Sequence, residues 1–159
     1  KRELVLRMRA PMVKKAKEKL DGTFGEVEVR HDDLLTAKLS EPADLVIMNY
    51  TLQFIPKELR LQILKKIYKS LQKGGIFIMS EKIKPECFNV HTLYTDLYYD
   101  FKRRNGYSNL EIMQKREALE NFLIPNTIRE QKNLLGAAGF ESFETIFQWY
   151  NFASFIGIK

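Results

Sequence analysis

The sequence predicts an α/β fold, a mostly parallel sheet closed by a C-terminal antiparallel hairpin and interrupted by a helical insert. Three observations carry this. Asp44-Leu45-Val46-Ile47-Met48 is an almost uninterrupted apolar run, the pattern of a strand buried on both faces. An amphipathic helix and a Gly-Gly pair separate it from a second such run, Ile76-Phe77-Ile78-Met79, which makes a βαβ crossover with parallel strands. The chain closes with two strand-like segments, residues 140–149 and 151–158, joined tightly enough for a hairpin.

Each element has its own local warrant. Residues 11–20 place Met12, Val13, Ala16 and Leu20 on one side of a helix, and Asp21-Gly22 with Gly25 break it. Val27-Glu28-Val29 alternates like a short strand and runs into His31-Asp32-Asp33. The strand at 44–48 ends in Asn49-Tyr50, and Pro56 opens a helix in its favoured first-turn position. Leu59, Ile63, Leu64, Ile67, Tyr68 and Leu71 form its apolar stripe, while Lys65, Lys66 and Lys69 face away. Gly74-Gly75 is expected to stop that helix, and the next strand ends at Ser80-Glu81-Lys82. Residues 86–104 read as a long helix rich in aromatics (Phe88, Tyr94, Tyr98, Tyr99, Phe101), ended by Gly106. Ser108-Asn109-Leu110-Glu111 is a capping box for another helix, reaching about Phe122. Pro125 breaks the chain, and Thr127 caps a third helix that ends at Ala138-Gly139. Two helices where one would serve mark an insert at about 86–124, suited to a lid or a dimerisation arm.

At 159 residues the chain is one domain's worth, 1–159. Its 45% hydrophobic and 12% aromatic content supports a buried core and excludes a disordered class. No apolar run approaches the length of a bilayer crossing, and no membrane partner is expected. A single cysteine, Cys87, rules out an internal disulfide and a thiolate zinc pattern, and two histidines, His31 and His91, are too few for a His-rich metal site. A reducing, cytoplasmic setting fits that cysteine usage. The formal net charge of +6 permits contact with nucleic acid without establishing it. Lys14, Lys15, Lys17 and Lys19 spread over a helix surface as a solvated face. Lys102, Arg103 and Arg104 end a helix, where cations complement its dipole.

Ligands of open α/β sheets sit beyond the C-terminal ends of the strands. Three such ends carry polar groups here: Asp32-Asp33, Asn49 and Ser80-Glu81. A carboxylate at such an end accepts from an amine, such as an adenine amino group; the competing role for each residue is a turn cap. Arg116 lies four residues after Ile112 and three before Leu119, so it shares a helical face with apolar side chains. An inward guanidinium needs an anion, whether a bound carboxylate or an internal Asp or Glu, unless its stem simply lies along apolar surface. Cys87 and His91 stand at i,i+4 spacing, which admits a nucleophile pair and, more simply, a structural cysteine. Trp149 and the aromatic helix read as core or interface.

A longer series of motifs is more specific. Asn49-Tyr50-Thr51-Leu52-Gln53-Phe54 follows one strand and Ser80-Glu81-Lys82 ends the next. Asp100-Phe101-Lys102-Arg103, Asn105-Gly106-Tyr107-Ser108, Glu111-Ile112, Gln114-Lys115-Arg116, Leu119-Glu120-Asn121 and Ala138-Gly139-Phe140 continue it. In order and spacing the series resembles the carboxy-S-adenosyl-L-methionine synthase family, from about Met12 to the end. The resemblance implies a Rossmann-like, class I methyltransferase fold dependent on S-adenosyl-L-methionine (SAM). It implies an enzyme that makes carboxy-SAM from SAM and prephenate, releasing phenylpyruvate, by capture of the lost carboxyl group with a sulfonium ylide. The product would pass to a tRNA carboxymethyltransferase for wobble-uridine modification. Carried over by position, Asp33 and Leu34 would flank the adenine, Asn49 would lie beside the cofactor, and Arg116 would hold the added carboxylate. The family is dimeric, which gives the helical insert a role. Two other readings stay open: an ordinary SAM-dependent methyltransferase acting on tRNA or a small molecule, and a non-catalytic binding module of the tRNA pathway.

The family pattern also asks for an Asp-Leu-Gly-Cys-Ser type loop, whose glycines let the backbone approach the cofactor, and for a strand ending in an acid that binds the ribose. The sequence contains neither. Residues 1–9 are basic, do not read as that strand, and join Ala10-Pro11-Met12 abruptly. The expectation is a domain whose N-terminal cofactor-binding part is incomplete, through truncation or through residues outside this sequence.

Overall fold

The computed structural model describes residues 2–6, 10–20, 27–39 and 42–159. Leu4-Val5-Leu6 lies within a strand, β1 (Arg2–Leu6), which pairs parallel with β2 (Val27–His31), Leu4 opposite Val29. Helix α1 (Ala10–Leu20) connects them. The basic N-terminus therefore does form a strand, because the β-compatible run at its centre outweighs the flanking charges. The Asp21-Gly22 and Gly25 break and the join at residues 7–9 lie outside the described residues.

A second sheet holds β3 (Ala43–Asn49), β4 (Leu71–Lys82), β5 (Ser142–Trp149) and β6 (Phe152–Ile158) in the order β3-β4-β6-β5. β3 and β4 run parallel, with Met48 opposite Met79. β6 returns between β4 and β5 and is antiparallel to both. The sheet is thus mixed rather than mostly parallel, because the closing hairpin inserts its last strand at the centre.

One face of this sheet carries the core. Helices α2 (Lys57–Ser70) and α5 (Ile128–Ala138) bury Ile63, Leu64, Ile67, Leu135 and Ala138 against Met48, Phe77, Met79 and Phe155. Phe140 stacks on Phe77 with ring centroids 5.7 Å apart. The stripe predicted for α2 is the one that packs. Its predicted end is not: α2 stops at Ser70, and the extended backbone of Leu71 leads straight into β4. Gly74-Gly75 instead absorbs a bulge, over which the register jumps from Ala43 opposite Leu71 to Leu45 opposite Ile76. Gly74 has φ +78°, and a Cβ on Gly75 would lie 2.8 Å from the Gln72 carbonyl and 3.0 Å from that of Ala43.

The other face of β3 is open. Leu45 and Ile47 are 50% and 57% exposed, which corrects the reading of a strand buried on both sides. Among the described residues β3 pairs with β4 alone, and Ala43, Val46 and Met48 are the residues of β3 that pack on the core.

The insert comprises α3 (Phe88–Arg104) and α4 (Asn109–Glu120). Ser108 and Glu111 form the capping box of α4, and Thr127 and Glu130 that of α5, as their spacing predicts. Gly139 closes α5 in the left-handed conformation, φ 116°.

Candidate functional site

The site grows from the C-terminal ends of β3 and β4, where the two faces of the sheet diverge. Side chains alternate along a strand, so Glu81 and Lys82 point to opposite sides. In-register pairs share a face: Asn49 lies opposite Ser80, Ser80 opposite Ser154, and Lys82 opposite Phe152. Asn49, Ser80, Lys82 and Phe152 therefore stand together on the face away from the core.

Glu81 turns into the core and is fully buried. Its Oε1 accepts from the backbone N–H groups of Thr51 (3.0 Å) and Leu52 (2.8 Å), and its Oε2 from that of Gln53 (3.2 Å). These are the first donors of a short 3-10 turn, Leu52–Phe54, so the carboxylate caps the turn that follows Asn49. Burial pushes the Glu81 pKa up to about 7, against the pull of the three N–H groups and Arg60. Arg60, 1% exposed, lies beneath. Its Nε donates to the Ile55 carbonyl (2.8 Å), Nη1 to Asn126 Oδ1 (2.7 Å) and Nη2 to the Ile124 carbonyl (2.7 Å). Gln53 completes the bracket by accepting from the Lys82 backbone N–H at 2.8 Å. Of the Ser80-Glu81 candidate pair, Glu81 is thus a structural bracket, and Ser80 shares a 2.9 Å hydrogen bond with Ser154.

Tyr50 is what the bracket holds. Its φ is 50°, a left-handed conformation unusual for a bulky residue and a mark of stored strain. Its N–H donates to the Ser80 carbonyl at 2.7 Å, and the Thr51 hydroxyl donates to the Asn49 carbonyl at 2.9 Å. The turn leaves the Asn49 side chain exposed at the sheet edge.

Aromatic rings and cations gather on the face that Asn49 shares, away from the core. Phe152 lies 5.0 Å from Tyr98, and Trp149 lies 4.7 Å from Phe101, centroid to centroid. Lys102 Nζ sits 4.7 Å from the Tyr98 ring centroid. Burial, then the nearby charges of Lys102 and Arg116, hold the Lys82 pKa below its ordinary value.

The sequence candidates fall in three places. Asp33 follows β2; its Oδ1 accepts from the Leu35 N–H at 2.8 Å, an Asx turn that leaves the carboxylate exposed. Leu34 packs on the core, and Lys66 Nζ donates to the Leu34 and Leu35 carbonyls at 3.2 Å each. Asn49 stands on the Lys82 face. Arg116 does not point inward: it is exposed and forms no ion pair among the described residues. Only Ile112 is buried on α4, so its apolar stripe is too narrow to cover a guanidinium one turn on. Cys87 is exposed at the start of α3, and its bond to His91 is the backbone bond of a helical turn, 3.0 Å. Sequence reasoning missed Lys82 and the bracket, although two adjacent charges at a strand end must face opposite ways.

A model of the methyltransferase domain matches residues 2–79. A carboxy-S-adenosyl-L-methionine synthase of Nautilia profundicola is 46% identical over 148 residues, covering 93% of this chain and 63% of that protein. One of Shewanella amazonensis is 43% identical over 150 residues, covering 94% and 62%. The chain therefore spans less than two thirds of the length of these relatives. Human N-acetylserotonin methyltransferase, solved in complex with SAM, matches with a TM-score of 0.61 at 19% identity, over 94% of this chain and 38% of that one, a likeness of fold.

Proposed function

We propose that the protein belongs to the carboxy-S-adenosyl-L-methionine synthase family, over the part of those enzymes that the chain spans, and makes carboxy-SAM from SAM and prephenate. The observation that carries the reading is 46% identity over 148 residues to a protein of that name.

The geometry suits the substrates. The exposed Asn49 side chain and the free edge of the Asp33 carboxylate offer an acceptor and an amide to the adenosyl end, with Leu34 as its apolar neighbour. The strained turn at Tyr50 fixes where Asn49 stands, and the Glu81 bracket fixes the turn. Arg116 offers a two-pronged donor to the added carboxylate. SAM supplies the activated S-methyl carbon. In the net change, the bond from the prephenate ring to its carboxyl carbon breaks and hydroxide leaves as the ring becomes aromatic. A proton leaves the methyl carbon, a new bond joins that carbon to the carboxyl carbon, and hydroxide and proton depart as water.

The α3–α4 insert exposes Phe88, Leu93, Leu110 and Met113, an apolar surface suited to a homodimer interface. In this reading the product passes to a tRNA carboxymethyltransferase for wobble-uridine modification, and the enzyme works in the cytoplasm. No helix among the described residues is long and apolar enough to cross a membrane.

Incubating full-length protein with SAM, with and without prephenate, tests the proposal. A nucleoside heavier than SAM by one carboxyl group, formed only with prephenate, is expected. Methyl transfer without prephenate would make it an ordinary methyltransferase.

A further inference from the structure

We infer that Lys82 and Lys102 form a second carboxylate subsite, which holds the carboxylate that stays on the departing α-keto acid while Arg116 takes the one transferred. The assignment rests on the proposed carboxyl donor and adds to it the residues that grip its other end.

Register carries the argument first. Lys82 shares its sheet face with Asn49, so it faces the same side of the strand ends as that candidate. Phe152 lies directly opposite it, Tyr98 packs 5.0 Å from Phe152, and Lys102 Nζ lies 4.7 Å from Tyr98. The two lysines thus flank one patch of rings.

Their lack of partners comes second. Both are half-buried, and neither bonds to a carboxylate among the described residues. Glu81 and Glu86 beside Lys82 are bonded to backbone N–H groups and to Arg129, Asp100 beside Lys102 pairs with Arg103, and Glu111 closes the Ser108 capping box. Partly desolvated cations clustered without a counter-charge are costly, and a bound anion removes that cost. Burial and the nearby charges of Lys102 and Arg116 lower the Lys82 pKa.

The rings come third. Tyr98, Trp149 and Phe152 present apolar surface beside the cations, which suits a ligand with a cyclic body and a carboxylate tail.

The test uses full-length protein. Lys82→Met should raise the KM for prephenate about 10- to 100-fold, the cost of losing one charged hydrogen bond. The KM for SAM and the unfolding midpoint should stay at their wild-type values, and Lys82→Arg should recover most of the loss. Phenylpyruvate, which keeps only the retained carboxylate, should compete with prephenate in the wild type and lose that inhibition in Lys82→Met. Wild-type turnover together with an unchanged KM and unchanged inhibition in Lys82→Met would overturn the subsite. Were the wild type to make no carboxy-SAM, the functional reading would fall instead. Calorimetric titration with phenylpyruvate would then decide the subsite, weaker binding to Lys82→Met supporting it and equal binding overturning it.

Discussion

Glu81 and Lys82 are neighbours in the chain and opposites in the structure. Glu81 is fully buried, accepts three backbone hydrogen bonds and lies over an arginine whose guanidinium nitrogens each bond within the protein. Lys82 is half-buried, has no carboxylate partner among the described residues and lies near rings and two further cations. A buried charge whose bonds close within the protein shapes the backbone, here the turn that presents Asn49. A charge whose bonds stay open at a strand edge is positioned for something outside the chain. The same strand end supplies both, because its pleat sends consecutive residues to opposite faces.

The largest break in this contrast is expected at Arg60. Arg60→Ala strands Asn126 Oδ1 and the Ile55 and Ile124 carbonyls, and should cost about 3–5 kcal/mol, read as a lower urea midpoint. Glu81 sharpens it through pH. Its folded pKa, about 7, lies above the ordinary 4.5, so the folded state holds this proton more tightly than the unfolded one. The stability it lends is complete below pH 4.5 and is lost as pH rises through about 7. Glu81→Gln should lose that slope, so that its stability difference from the wild type varies with pH between about 4.5 and 7, whereas a slope surviving unchanged in the variant would assign the titration elsewhere.

Smaller effects belong to the open side. Arg116 is exposed, so Arg116→Ala should cost about 1 kcal/mol of carboxy-SAM affinity and leave SAM affinity unchanged in equilibrium binding. Equal loss for both ligands would make Arg116 structural. The capping boxes give the smallest contrast. Thr127→Ala should lower the global unfolding free energy by about 1 kcal/mol, read from urea unfolding, because α5 packs on the core. Ser108→Ala should instead appear as faster amide exchange confined to α4, which buries only Ile112.

The elements whose signals are local were legible in the sequence. The Ser108 and Thr127 boxes, Gly139 and the stripe of α2 each depend on residues within a few positions of one another. Features that depend on distant partners were not. Gly74-Gly75 looks like a helix stop, yet it serves a bulge set by the pairing of β4 with β3. The apolar run of β3 looks doubly buried, yet its outer face has no cover among the described residues. Arg116 shares a face with Ile112 by spacing, but how deep that face sinks is set by what α4 packs against. Glu81 reads as a strand-end ligand group until the Leu52–Phe54 turn is seen folding back onto it.

The most direct measurement follows a labelled atom. Full-length protein would be given SAM and prephenate carrying 13C in its ring carboxyl group, and the nucleoside product weighed and fragmented. The label is expected in the nucleoside, on the carbon joined to the former S-methyl group. A nucleoside without the label, or a methyl group passed to an acceptor with prephenate left intact, would contradict the proposed reaction.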